Sequence, residues 1–370
     1  MSLRVVLASL VLAAVVDGFR MKSKRRQTSK QAEEPDIDPE EDAGDNDQLR
    51  RDTEQTQNEL LPEFILTPGQ FPSCHLSESE CNIRDLTGPT LVYSDSPEST
   101  RCMSGEPFAF LVKPGRTDKL LYYFPNGGAC WETPFALPGI VPICLPTMTL
   151  GLTVTGLGMG VSEFDRQGNG FADYTFVSPP YCSGGAHVAN TTSNGLFGNY
   201  TQFDYNNNAF TIGWAMQNMD DILENFVMAG SSAGALGTMA WANVLLDRFN
   251  YKKATVIVDS YVGLFPDGTQ GPTIKNFEVC NLPVLEGFEA ECEAGTATIQ
   301  DIFDNAIASH PEVAFAIIQP KFDLVQRVFY AAIAASYLSL DLYQSSTYFY
   351  EQTNDMLQRY GRHHNFVNYC

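Results

Sequence analysis

The sequence predicts an α/β domain, a mainly parallel sheet with helices on both faces. Three observations carry that expectation. Short apolar runs alternate with longer helical stretches from about residue 119 onward. Runs such as 254–259 and 314–319 are apolar almost throughout, the pattern of strands buried on both faces. The stretch Glu224-Asn225-Phe226-Val227-Met228-Ala229-Gly230-Ser231-Ser232-Ala233-Gly234 reads as a strand, a G-x-S-x-G turn and the start of a helix crowded with small residues.

Taken in order, residues 1–18 have the form of an export signal. Arg4 supplies a basic start, 5–16 is apolar but short for a bilayer span, and small residues surround a cut after Gly18. Residues 19–61 are polar and charge-segregated. Basic residues from Arg20 to Lys30 precede acidic ones from Glu33 to Asp47, a composition that cannot bury a core and is expected to be disordered. Arg25-Arg26 and Arg50-Arg51 are candidate processing sites. The remainder, 62–370, is long enough for one large domain. The uncharged run 133–162 is interrupted by Pro134, Pro138, Pro142 and Pro146, so it reads as an irregular apolar region rather than a membrane span.

Within the domain, 119–124 is a predicted strand that ends in Pro125-Asn126-Gly127-Gly128-Ala129-Cys130-Trp131. Further strands are predicted at 172–177, 225–229, 254–259 and 314–319, and helices at 208–223 and 232–249. In parallel sheets chemistry collects at the carboxyl ends of the strands. Gly127-Gly128, the G-x-S-x-G turn, Asp259 and Asp323 are all expected there.

An exported chain holds its cysteines in an oxidising compartment, where disulfides are favoured over metal sites. Of the nine cysteines, Cys130–Cys144 and Cys280–Cys292 are the expected local pairs, and odd parity leaves one over. With no C-x-x-C and no H-E-x-x-H, no metal is expected. Asn190-Thr191-Thr192 and Asn199-Tyr200-Thr201 are glycosylation sequons.

A turn of this kind places Ser232 as a nucleophile, with the amide of Ala233 facing a developing oxyanion. The glycine turn at Gly128 and Ala129 would supply the second donor, and an ordinary strand-to-loop turn is the alternative. Five histidines are available as base. The order Ser, acid, His of α/β-hydrolases leaves His310, His363 and His364, and the pair after Tyr360-Gly361-Arg362 suits a loop-borne base. The acid would be Asp323, with Asp259 as competitor.

Several of these stretches together resemble the pectin acetylesterase family, which includes the Notum-type carboxylesterases. Tyr123 to Trp131 resembles its glycine-rich oxyanion turn. Phe164 to Asp173 resembles the segment before its next strand, and Pro180-Tyr181-Cys182-Ser183-Gly184 its P-Y-C-S-G motif. His187 falls where some members carry histidine. Gly230 to Gly234 resembles the G-S-S-A-G elbow, Phe322 to Gln326 the D-x-x-Q segment, and Gly361 to His364 the G-x-x-H segment. The resemblance implies an α/β-hydrolase-like fold and a triad of Ser232, Asp323 and His364. It departs at Asn126, at Gly170, and at Gly185, where the family usually has aspartate.

The implied activity is cofactor-free carboxylic ester hydrolysis, with an ester substrate such as an acetylated polysaccharide. The formal net charge of -21 opposes nucleic acid and polyanionic pectin alike, and a neutral acetylated glycan or small ester fits better. Deacylation of a lipidated protein, with the apolar 133–162 region lining an acyl pocket, is a further option. The competing class is a non-catalytic binding protein on the same fold.

Overall fold

The computed structural model describes residues 68–132, 140–148, 163, 167–195, 198–339 and 346–370. All of them lie in the compact unit Phe64–Cys370. The expected signal at 1–18, the charged stretch 19–61 and most of the run 133–162 lie outside the described residues.

The main sheet is built from β1 (Ser73–His75), β2 (Thr90–Tyr93), β3 (Ala109–Lys113) and β4 (Arg116–Phe124), joined later in the chain by five more strands. The antiparallel hairpin of β5 (Gly128–Glu132) and β6 (Ile140–Cys144) stands outside it. The others are β7 (Tyr174–Ser178), the separate hairpin β8 (Thr191–Gly195) and β9 (Gly198–Gln202), then β10 (Asn225–Ser231), β11 (Ala254–Asp259), β12 (Ala314–Ile318) and β13 (Phe366–Tyr369). The nine-stranded order is β1-β2-β3-β7-β4-β10-β11-β12-β13. Every pairing is parallel except those of β3 with β2 and β7.

Among the described residues seven α-helices accompany the sheet: α1 (Asp204–Asn218), α2 (Ala233–Arg248), α3 (Gln270–Asn276), α4 (Glu289–Glu293), α5 (Ile299–Ser309), α6 (Leu324–Ser336) and α7 (Ser346–Tyr360). The expected helix 208–223 is displaced: it starts at Asp204 and ends at Asn218. Beyond it the backbone is claimed by other elements, with Asp220 N donating to Thr117 O (3.0 Å) and Leu223 N to Asn250 O (2.8 Å). The central strands are covered on both faces, and β7 is buried at every residue. Toward the β13 edge the pattern changes. β11 and β12 alternate, and Ile318, Val367 and Tyr369 are exposed, so this side of the sheet is buried on one face only.

Four disulfides form: Cys74–Cys81, Cys102–Cys182, Cys130–Cys144 and Cys280–Cys292, and Cys370 is the free thiol. Both expected local pairs are among them, and bonds of this number are consistent with an oxidising compartment. No helix among the described residues is long and apolar enough to cross a membrane.

The loop closed by Cys102–Cys182 spans 80 residues and that closed by Cys280–Cys292 spans 12. Chain entropy alone makes the first worth about 4.5 kcal/mol and the second about 2.8 kcal/mol. Replacing each pair by alanines and measuring denaturant midpoints should therefore show the larger loss for Cys102/Cys182. The reverse order would mean that local packing, not loop closure, governs these bonds.

Candidate active site

The junction of β10 and α2 is a sharp turn whose apex is Ser232, at φ 55° and ψ -114°. A non-glycine residue held in that region costs about 1–3 kcal/mol, and the surrounding contacts must enforce it. Two close approaches do so. A Cβ on Gly230 would lie 2.3 Å from Gly234 O, and a Cβ on Gly234 would lie 1.9 Å from Phe124 O. Helix α2 can begin here only because both positions lack a side chain. Ser232 N donates to Asp259 O (2.9 Å), and the Ser232 side chain makes no capping bond to the helix. Its hydroxyl is thus not spent on the scaffold, and the Ala233 amide opens the positive end of α2. Ser231 is engaged elsewhere, its Oγ 3.3 Å from the Tyr123 hydroxyl. Burial, with the nearby Asp259 carboxylate, raises the Tyr123 phenol above its ordinary range.

The glycine turn after β4 leads directly into the β5–β6 hairpin. Leu145 N donates to Gly127 O (3.0 Å), so 127/145 is a hydrogen-bonded pair and the next of that kind is 129/143. That alternation turns the Ala129 amide toward β6 and the amides of Gly128 and Cys130 away from it. Cys130 N is bonded to Gly184 O (2.7 Å), which leaves Gly128, at φ 76°, as the turn's donor. Of the three expected oxyanion donors, Ala233 and Gly128 keep that capacity, and Ala129 is committed to the hairpin.

Behind this turn lies the loop 181–189. The buried Tyr181 ring occupies the space where a Cβ on Gly127 would stand, 2.0 Å from its nearest atom. Cys182 anchors the loop by disulfide, and Ser183 Oγ donates to Arg101 O (3.1 Å). His187 Nε2 donates to Pro125 O (2.7 Å) at the root of the glycine turn. The P-Y-C-S-G motif is therefore the wall that shapes the turn. Gly185 has a structural explanation too: a Cβ there would sit 2.1 Å from Ala189 Cβ and 2.6 Å from Asp204 Oδ2, which accepts the Gly185 amide at 2.9 Å. Ala189 and a carboxylate from the start of α1 share that space. Nothing in the sequence marked Asp204, because an aspartate at a helix start is ordinary capping chemistry.

The proposed acid and base part company. Asp323, five residues beyond Ile318, lies at the carboxyl end of the sheet, as Ser232 does. It caps α6, with Oδ1 accepting Gln326 N (2.9 Å) and Oδ2 accepting Gln326 Nε2 (2.8 Å), so the D-x-x-Q segment is also a helix cap. Asp259 Oδ1 accepts the Ser260 hydroxyl (2.7 Å). His363 and His364 precede β13, which runs parallel to β12 with Phe366 opposite Phe315. They therefore stand at the amino ends of the strands, about 17 Å from the level of Ser232 along the strand direction alone. His364 is exposed there, and His363 Nε2 is 3.0 Å from Asp304 Oδ1. The structure does not bring His364 to Ser232. The turn after α7 looked loop-borne in sequence, but strand direction sends it to the opposite end. His310, just before β12, shares that end, and His75 is on the far edge strand with Asp95. Only His187 approaches the elbow, and it is 1 % exposed with Nε2 committed to Pro125. Among the described residues no group of three or more His, Cys, Asp or Glu is placed to hold a metal ion.

No family model and no curated protein matches the chain. Among solved structures it is similar to the Wnt deacylase Notum from Drosophila in crystal form II. The TM-score is 0.50 at 13% identity, covering 75% of this chain and 82% of that one. The same protein in crystal form I gives 0.47 at 13% identity, with 76% and 84% covered. The first likeness identifies the fold as α/β-hydrolase-like.

Two buried groups beside the turn titrate in opposite senses. Desolvation lowers His187 from 6.5 to about 4, and desolvation raises Asp204 from 3.8 to about 7 against the amides that bond it. Between those limits the unfolded chain binds a proton on His187 that the native chain lacks, so this group makes stability rise with pH. Over nearly the same window the native chain holds a proton on Asp204 that the unfolded chain lacks, so stability falls with pH and the two slopes oppose. Asp204→Asn removes one of them. Its unfolding free energy, measured by denaturant titration, should fall more steeply than that of wild type between about pH 6.5 and 4.5, by up to about 1.4 kcal/mol per pH unit. Equal slopes in the two proteins would remove Asp204 from this account.

Proposed function

We propose that this chain is an exported serine carboxylic ester hydrolase that acts on an O-acetylated neutral glycan or a related ester. The observation that carries the reading is the left-handed backbone of Ser232 between β10 and α2, with its hydroxyl unspent on the helix cap. In this reading Ser232 Oγ gives its proton to water and attacks the ester carbonyl, the amides of Ala233 and Gly128 receive the oxyanion, the alcohol leaves with a proton from water, and a second water cleaves the acyl–serine bond to release the acid. Each such donor contributes about 3–4 kcal/mol where it is essential. Asp323 is at the same end of the sheet, with both carboxylate oxygens engaged by Gln326. The proton acceptor is not His364, whose position at the amino end of β13 rules out direct contact. No cofactor enters the scheme. Export is supported by four disulfides and by the signal-like start of the sequence.

One observation favours a second reading. All five histidines are among the described residues, and none stands free beside Ser232. A protein that cradles an ester without turning it over would look the same at the elbow. The exposed apolar residues Phe322, Leu324 and Val325 beside Asp323 add long-chain acyl esters to the substrates worth testing.

A fluorophosphonate probe separates the readings. Wild type and Ser231→Ala should be labelled, and Ser232→Ala should lose at least about 100-fold of the labelling rate. His364→Ala and His363→Ala should label within about twofold of wild type, since neither reaches the elbow. Absence of labelling in the wild type would move the chain to the binding class. Loss of labelling in His364→Ala would overturn the strand placement.

A further inference from the structure

The exposed apolar surface of this protein is gathered at one corner. Of the ten exposed large hydrophobic side chains among the described residues, eight lie between Ile318 and Tyr369. Ile318 and Tyr369 are register partners at the carboxyl ends of β12 and β13. Phe322, Leu324 and Val325 follow β12 closely and are 61 %, 49 % and 60 % exposed. Apolar residues concentrated in this way, rather than scattered singly, mark an interaction surface.

Helix α6 carries this surface across the candidate site. It starts beyond the end of β12 and finishes at the β5–β6 hairpin, where Trp131 Nε1 donates to Ser336 Oγ (2.9 Å). β11 and β10 stand between β12 and β4 in the sheet, so α6, about 20 Å long, bridges the carboxyl end on which Ser232 sits. One stripe of α6 is buried, with Gln326, Tyr330, Ile333 and Ala334. The opposite stripe is Leu324, Val325, Val328, Ala331, Ala332 and Ala335, and no polar side chain interrupts it. A surface helix normally turns charged residues outward. Asp323, between Phe322 and Leu324, is held by Gln326, and the Phe322 ring rests against Tyr350 with centroids 5.9 Å apart.

We propose that this face docks the protein on a lipid surface of zwitterionic phospholipid. A protein partner of ordinary interface size makes about ten hydrogen bonds, and the outer stripe of α6 has no side chain to offer one. A lipid surface needs none, because it takes up apolar side chains by burial alone. The net charge of -21 opposes an anionic leaflet. Lys321, exposed beside Phe322, can reach the phosphate of a zwitterionic headgroup while its stem stays apolar. Docked in this way, the elbow lies beneath the lipid that would supply a long-chain acyl ester. That consequence rests on the esterase reading, and the docking itself does not.

The test is sedimentation of the full chain with sucrose-loaded phosphatidylcholine vesicles, with and without added phosphatidylserine. The chain carries Ser232→Ala, so that no lipid is turned over. It should sediment with phosphatidylcholine alone, and phosphatidylserine should not strengthen the binding. Leu324→Ser combined with Val325→Glu should weaken the partition at least about tenfold, since two apolar side chains no longer enter the lipid. Phe322→Trp gives a second reading. Trp131, Trp214 and Trp241 are already buried, so a blue shift on vesicle addition, quenched by brominated phosphatidylcholine, would come from position 322. No sedimentation with phosphatidylcholine, sedimentation only with phosphatidylserine, undiminished partition in the double variant, or an unquenched Phe322→Trp chain would each overturn the proposal. So would a lipid-free dimer that the double variant dissociates, which would assign the face to a second copy. Because Ser232 is absent from the tested chain, these outcomes are independent of whether Ser232 is a nucleophile.

Discussion

The structure depends on one close approach, that of the first turn of α2 to the carbonyl at the end of β4. With Gly234 stripped of a side chain, the helix start settles against Phe124 O. That contact forces the β10–α2 turn through Ser232 and leaves its backbone in the left-handed region. The same contact sets the glycine turn after β4 beside the positive end of α2. The nucleophile candidate and the Ala233 amide are thus positioned by backbone packing, and such packing is hard to deform.

The glycine turn has little of its own to hold it. Its shape is imposed from outside by the Tyr181 ring, the His187 bond to Pro125, the Gly184 carbonyl and the Cys130–Cys144 disulfide. Asp204 completes this wall by accepting the amide of Gly185 from within the protein. The loop is therefore a largely buried polar network, where each member is costly to remove because its partner is left unsatisfied. The opposing titrations of His187 and Asp204 follow from the same burial.

The two ends of the sheet have different characters. The carboxyl end gathers Ser232, Ser260 and Asp323, with the Tyr123–Ser231 contact between neighbouring strands. The amino end gathers His363, Asp304, Asp301 and Arg359 into an ion-pair cluster, with Arg359 2.7 Å from Asp301. That cluster ties α7 to α5 and gives His363 a structural partner.

Local signals were sufficient for much of this. The G-x-S-x-G turn, the apolar strands and the small-residue helix made the α/β fold and the place of Ser232 legible, because steric demands on adjacent residues act at short range. The pairs Cys130–Cys144 and Cys280–Cys292 were legible for the same reason, being close in sequence. What lay beyond the sequence depended on direction and distance in three dimensions. His364 follows a helix and precedes a strand, and only the parallel pairing of β13 with β12 sends it to the end of the sheet away from Ser232. Ala129 is adjacent to Gly128, yet the hairpin register takes its amide out of use. Asp204 and Gly185 are nineteen positions apart and carry no shared motif, and only packing brings the carboxylate of one to the amide of the other. The sequence by itself determined the local turn that exposes a serine. Tertiary structure decided which groups face it, because strand direction, register and burial are set by contacts between segments distant in the chain.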